Sequence, residues 1–280
     1  MSYLITIPTY GRYKLIHETT LKLLNEIGYN KLVHIFVDNE EEFDKYIEEF
    51  SKYDYSFHCD IIVTNNNGIG NCRNFIRNYY ETGQKIIMID DDIIDIRSIG
   101  NNFRILDWFN EVFKTMKLEK VKFAGATPYD NEFYMKLGYT TTLKYTGAHL
   151  IFEVIRTKTP RSHLDINHFE DYLTNLYYFI LDRKLLRFNS IYVKTKYFNK
   201  NGGIIASEGS IENRMKKSEE TANKLVVIFQ NLVLKSWSKK YKCINLKFCR
   251  LKEFNEKWFN YIENYYNYDS EKSQIVESFN

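Results

Sequence analysis

Proline is scarce in this chain, with 3 in 280 residues, and cysteine numbers only 4. Cys59, Cys72, Cys243 and Cys249 form no CxxC pair and have no histidines at zinc-ligand spacing, which argues against both a structural zinc site and a disulfide framework. A reducing cytosol fits that usage best. Long apolar runs are missing too. None approaches the roughly 18 to 20 residues a membrane span needs, and "MSYLITIPTYGRYKL" lacks the charged n-region of a secretion signal. A soluble, unsecreted chain is expected. Internal repeats and low-complexity linkers are also absent, so no compositional break marks a domain boundary. Net charge is only +3.

What the chain does have is charge asymmetry and apolar periodicity. Residues 181–250 hold 16 Lys+Arg against 5 Asp+Glu, an excess of +11, so the remainder is net acidic. In the first half, "YLITIP" (3–8), "LVHIFV" (32–37), "DIIVT" (60–64) and "KIIMID" (85–90) are β-branched runs bounded by polar or turn residues, the pattern of buried strands. Between them, residues 12–28, 40–53 and 70–83 carry helical spacing. Strands alternating with helices of this length predict a parallel sheet with right-handed crossovers. Further on, the pattern predicts a helix over 103–117, strands over 121–128 and 145–155, and a helix over 164–184. Past Ser207 it reads as wholly helical, with long members over 218–237 and 251–268. The chain is therefore expected to form an α/β unit over 1–205 and a helical C-terminal extension over 206–280.

Ligands of such sheets sit at the carboxyl ends of the strands. That rule brings Pro8-Thr9-Tyr10, Asp38-Asn39, Asn65-Asn66-Asn67-Gly68 and the triplet Asp90-Asp91-Asp92 to one rim. Beyond a buried strand, Asp90 and Asp92 should project together and Asp91 opposite. Two carboxylates on one side repel unless a divalent cation sits between them, and Mg²⁺ or Mn²⁺ with oxygen ligands commonly brings substrate phosphates with it. A turn whose aspartates cap the next segment is the plainer alternative.

Taken in order, "ITIPTYGR" (5–12), "FVDNEEE" (36–42), "NNNGIGNCRN" (65–74), "IIMIDDDI" (86–93) and "HFEDY" (168–172) resemble the GT-A glycosyltransferases, in particular the inverting GT2-like branch. The resemblance implies a Rossmann-like, mostly parallel sheet flanked by helices. It also implies a nucleotide-sugar donor over the strand ends, with Pro8 and Thr9 beside the nucleotide and Asp38 reaching the base. Gly68, Gly70 and Arg73 would shape the pocket, Asp90 and Asp91 would face the donor, and Asp90 and Asp92 would hold Mn²⁺ or Mg²⁺ on the diphosphate. An inverting transfer needs a carboxylate to take the acceptor's proton. Asp171 is the first candidate and Glu170 the second, since neighbours at a helix start diverge by roughly 100°.

The basic C-terminal third is interleaved with aromatics, as in "KSWSKKYKCINLKFCR". That pattern suits a phosphate backbone with bases to stack on, or it is a lysine-rich solvated surface. Trp237, Lys239, Lys240 and Lys242, with Tyr241 among them, are the candidate nucleic-acid contacts. Length, composition and this segment resemble the phage DNA-modification glucosyltransferases. The resemblance implies UDP-glucose as donor and double-stranded DNA carrying α-glucosylated 5-hydroxymethylcytosine as acceptor, in the cytoplasm of an infected host. A transferase building a surface or capsid glycan is the alternative. A two-metal phosphotransferase would want a further metal-ligating carboxylate, and none is evident.

Overall fold

A computed structural model describes residues 2–66, 68–100, 103–129, 131–156, 168–196, 210–238, 243–250 and 257–258. The four β-branched runs form β1 (Leu4–Pro8), β2 (Val33–Val37), β3 (Cys59–Val63) and β4 (Lys85–Ile89). They lie parallel in the order β3-β2-β1-β4, which turns all their carboxyl ends to one rim. Their crossovers are α1 (Leu15–Glu18) with α2 (Thr20–Glu26), α3 (Glu40–Phe50) and α4 (Ile69–Tyr79). Asn39 caps α3 by accepting from the Glu42 amide at 3.0 Å, as a short polar side chain does at a helix start. Gly68 begins α4 at φ +88°, where a Cβ would be strained.

The single helix expected over 12–28 is instead two. Thr19 leaves helical geometry at φ −124°, ψ −100°, and its hydroxyl lies 2.6 Å from the Leu15 carbonyl and 2.7 Å from that of Asp91. The break turns a side chain toward the aspartate turn.

Beyond β4 come β5 (Ile93–Ser98), α5 (Ile105–Glu119), β6 (Phe123–Thr127), the short β7 (Tyr139–Thr140), β8 (Leu150–Val154), α6 (Glu170–Asp182) and β9 (Leu186–Thr195). The sheet continues from β4 through β8, β6, β9 and β5, with β7 paired to β9. β8 is antiparallel to both β4 and β6, so its amino end lies at the rim where β4 and β6 end. Neither β5 nor β9 follows from the sequence pattern. The second isoleucine run is buried only at Ile93 and Ile96 in "IIDIRS", and "LRFNSIYVKT" stands out in the sequence only for its charge.

Helices cover both faces. One core joins Ile5, Ile7, Val33, Ile35, Ile87 and Ile89 to Leu21 and Leu24 of α2, Tyr46 of α3 and Phe109, Val112 and Phe113 of α5. The other joins Phe36, Ile86 and Met88 to Ile76 of α4 and Leu173, Leu176 and Tyr177 of α6. This is a mostly parallel α/β sheet flanked by helices. Among the described residues no helix is long and apolar enough to cross a membrane.

The C-terminal region differs from expectation. The helix α7 (Ile211–Ile228) stops well short of Trp237, and the chain turns through Asn231 at φ +69° into a hairpin of β10 (Val233–Ser238) and β11 (Cys243–Phe248). Asparagine tolerates the left-handed region, and the alternation in "VLKSWS" suits a half-exposed strand better than a helix. The helical extension is therefore a helix followed by a hairpin among the described residues, and of the helix expected over 251–268 only 257–258 are described, in helical form. Leu225, Phe229 and Leu246 share the core of α6, so this segment closes one face of the sheet.

A buried ion pair fastens α4 to β8. Arg77 Nε donates to both carboxylate oxygens of Glu153 at 3.0 and 3.1 Å, Tyr178 also donates to Glu153, and Glu153 is 0% exposed. Glu153→Ala should lower unfolding free energy by about 3–5 kcal/mol, because it strands a buried guanidinium. Denaturant titration of the two proteins checks this, and Glu153→Gln, which keeps an acceptor for Arg77 and Tyr178, should lose less.

Candidate active site

The triplet leaves β4 into a turn whose backbone is held from three sides. Thr20 Oγ1 donates to the Asp90 carbonyl at 2.7 Å and accepts from the Ile93 amide at 3.0 Å, while Thr19 holds the Asp91 carbonyl. The Asp90 amide donates to the His149 carbonyl and the Lys196 amide to the Asp92 carbonyl. With the main chain fixed, the side chains divide between two sides of the turn, and Arg12 is shared by Asp91 and Asp92.

Asp90 faces Arg73 and His149. Its Oδ1 accepts from Arg73 Nη2 at 2.7 Å, and its Oδ2 lies 2.8 Å from His149 Nδ1. Burial alone would raise its pKa, but the Arg73 guanidinium and His149 outweigh that and hold it at about 2. Asp92 lies on the same side, as the alternation rule predicts. Ligand atoms of Asp90, Asp92 and His149 all fall within 4.8 Å of one another. Burial, then the charges of Asp90 and Asp91, push Asp92 up to about 6.

Asp91 points the other way and is 5% exposed. It accepts from Thr9 Oγ1 at 2.6 Å and Arg12 Nη1 at 2.7 Å, and the Thr9 hydroxyl also lies 2.5 Å from that of Tyr46 on α3. Arg12 reaches Asp92 as well, at 3.2 Å. Thr9 and Asp91, expected at the donor, are thus joined to each other where the β1–α1 loop meets the aspartate turn, and Pro8 is buried at the end of β1. Asp38 follows β2, half-buried, its pKa raised by burial. Gly68 and Gly70 stand at the start of α4 beside Arg73.

Arg73 connects the halves of the site. It is 2% exposed, and while Nη2 holds Asp90, Nη1 donates to Glu170 at the start of α6. Burial raises Glu170 to about 7 against the pull of Arg73. Asp171 diverges from it as adjacent helical residues must, and is half-buried. It accepts from the Tyr145 hydroxyl and from the Tyr172 amide, the latter at 2.9 Å. Tyr145 stacks on Tyr172 at 4.2 Å, and the Tyr172 hydroxyl donates to the Leu246 carbonyl of β11 at 3.0 Å. The residue after Tyr145 is fixed too: Asn175 Oδ1 accepts from the Thr146 amide at 2.8 Å, and Thr146 packs where a Cβ on Gly125 would come within 2.7 Å.

Residues in this arrangement that the sequence pattern leaves unassigned include Arg12, Thr19, Thr20, Tyr46, Tyr145 and His149. Arg12 closes a quoted motif, so its place is in view there. The others lie in segments whose register with the triplet only the folded sheet supplies. Of the proposed nucleic-acid contacts, Trp237 is on β10, 59% exposed, and Lys239, Lys240 and Lys242 lie outside the described residues.

A divalent cation fits the Asp90, Asp92 and His149 group. Asp92 Oδ1 is buried without a hydrogen-bond partner, which is costly for a carboxylate oxygen unless a cation meets it. Two carboxylates and an imidazole suit Mn²⁺ better than Mg²⁺, which prefers oxygen ligands alone. Asp92→Asn and His149→Ala should each weaken Mn²⁺ binding by about tenfold or more, measured by calorimetry on the folded protein.

Residues 3–119 match the family described as TET-associated glycosyltransferase. No curated protein matches. Among solved structures, S. aureus TarS 1–349 in complex with UDP-GlcNAc superposes with a TM-score of 0.52 at 14% identity, over 81% of this chain and 67% of that one. The same fragment without that ligand gives 0.50 at 13% identity, over 81% and 66%. The chain thus spans about two-thirds of that fragment, and 40% of the longer TarS chain. Glucosyl-3-phosphoglycerate synthase from Mycobacterium tuberculosis, in complex with Mn²⁺, UDP and glucosyl-3-phosphoglycerate, aligns at 0.49 with 9% identity over 90% and 88%, too distant to add weight. At this level of identity the likeness speaks to architecture: the chain has the GT-A glycosyltransferase fold.

Proposed function

We propose that the protein is a metal-dependent, inverting glycosyltransferase that uses a UDP-sugar. The observation that carries this is the Arg73 bridge, which places a carboxylate pair at a helix start one guanidinium away from the aspartates at the strand end. The N-terminal family match supports the same reaction class.

In this reading Asp90, Asp92 and His149 hold the cation, and the chemistry it supplies when bound is neutralisation of charge on the departing diphosphate. Arg73 keeps Asp90 ionised and Glu170 turned inward. Glu170 is a positioning residue, its carboxylate taken up by that guanidinium. Asp171 is the base, half-open to an incoming acceptor and oriented by Tyr145. The acceptor hydroxyl attacks the anomeric carbon opposite the diphosphate, the bond to the diphosphate oxygen breaks with its electron pair leaving on UDP, and the hydroxyl proton passes to Asp171. Configuration at that carbon inverts.

For the substrates we take UDP-glucose as donor and α-glucosylated 5-hydroxymethylcytosine in DNA as acceptor, in the cytoplasm of an infected host. The +11 excess over residues 181–250 supports a polyanionic acceptor, and β11 joins this segment to Tyr172, beside the base. A sugar already projecting into the major groove needs no base flipping to be reached.

Labelled UDP-glucose and Mn²⁺ incubated with plain, hydroxymethylated and α-glucosylated DNA should label the last alone, and chelator should abolish transfer. Label on a surface glycan with none on DNA would replace this acceptor with the glycan. Asp171→Asn should lower kcat by about 10²-fold or more with donor binding intact. Loss of activity in Glu170→Gln with Asp171→Asn still active would move the base by one residue. DNA affinity should also fall steeply between roughly 50 and 200 mM salt, with a log–log slope near −0.9 per phosphate contact.

A further inference from the structure

A second surface beside the base has the chemistry of an anion site. Arg187, on β9, is 9% exposed, yet among the described residues no carboxylate pairs with it. Its Nε donates to Asn189 at 3.0 Å, its Nη1 donates to the Tyr145 carbonyl at 3.2 Å, and its guanidinium lies 5.9 Å from the centre of the Tyr129 ring. A buried cation with only neutral partners is costly and is stabilised by an anion arriving from outside.

Two exposed lysines gather at the same place. The Lys136 amide donates to the carbonyl of Asn189, the residue that accepts from Arg187, and Lys144 immediately precedes Tyr145. Burial and then the charges of Arg187 and Lys136 depress the Lys144 pKa, as expected of cations crowded without a counter-charge. Glu132 is the one described carboxylate on the adjoining turn. That turn exposes aromatic rings: Phe133 is 85%, Tyr134 63% and Tyr129 48% exposed, with Tyr134 5.2 Å from Phe133 and 6.1 Å from Tyr129. The Tyr145 that Arg187 holds is the one whose hydroxyl donates to Asp171.

We infer that Arg187, Lys136 and Lys144 grip backbone phosphate of a nucleic-acid acceptor, while Tyr129, Phe133 and Tyr134 stack on or flank its bases or sugars, so that the strand is presented to Asp171 across Tyr145. The inference rests on the DNA-acceptor reading and adds a grip formed by β9 and the segment between β6 and β8. Charge complementarity selects a polyanion, and the adjoining rings favour a nucleic acid, since every base has a π-face to stack.

The test uses the full chain, Mn²⁺, UDP-glucose and an α-glucosylated hydroxymethylated duplex. The double variant Lys136→Gln/Lys144→Gln changes only exposed side chains. It should raise KM for DNA roughly tenfold, with kcat at saturating DNA within about twofold, and flatten the salt slope of DNA binding by about two units, one for each phosphate no longer neutralised. Phe133→Ala/Tyr134→Ala should raise KM with the salt slope unchanged, which separates stacking from charge. An unaltered KM and slope in the lysine variant, with the wild type glucosylating DNA, overturns the platform and leaves the DNA acceptor standing. A wild type that neither binds nor modifies DNA at low salt overturns both.

Discussion

The site depends on one cation removed from water. Arg73 has carboxylates on both sides, Asp90 from the end of β4 and Glu170 from the start of α6, and almost no exposed surface. A buried guanidinium is tolerated only when its charge is met, so the two acidic elements are required by the arginine as much as it is by them. Its position follows from α4, where Arg73 and Arg77 are four residues apart and so share a face. One of them joins the two groups of rim carboxylates. The other is taken up by Glu153 in the strand next to β4.

Acidic groups outnumber the cations held among them. Asp90, Asp91, Asp92, Glu170 and Asp171 crowd a region in which Arg12 and Arg73 are the described guanidiniums bonded to them. Asp90 stays strongly acidic because it has Arg73 and His149, whereas Asp92 and Glu170 are pushed up to about 6 and about 7. The surplus gives the rim an affinity for added positive charge. It is also the physical reason why the middle aspartate is withdrawn into the Thr9, Arg12 and Tyr46 network: three carboxylates on one face would repel beyond what a single cation could offset.

Much of this architecture is legible in the sequence because burial enforces pattern. The runs around Ile5, Ile35 and Ile87 are covered on both sides of the sheet and read as continuous β-branched stretches, the edge run around Ile61 is half-buried, and the rule placing ligands at the strand ends then gathers the aspartates and Gly68 at one rim. Periodicity alone does not say which strand lies beside which. β8 enters next to β4 from the opposite direction, and that pairing is what brings His149 to Asp90. Thr19 is hidden inside an amphipathic stretch that looks continuous. In the C-terminal third, a run such as "KLVVIFQNLVLKSW" satisfies helical and strand spacing in turn, and the turn at Asn231 that separates them carries only a weak signal.

The pairing of β4 with β8 has one more consequence. Ile89 lies opposite Leu150, and the Asp90 amide bonds to the His149 carbonyl just beyond; at the other end Gly83 and Gln84 exchange hydrogen bonds with Ile155. Side chains alternate along a strand, so a slip of one residue would turn Glu153 to the opposite face, away from Arg77, and put Ala148 or Leu150 where His149 now meets Asp90. The buried ion pair in the body of the sheet and the imidazole at its rim are therefore set by the same register. A chain that has mispaired these strands leaves a buried arginine without its carboxylate before any ligand arrives, and is selected against by the energetics of its own core.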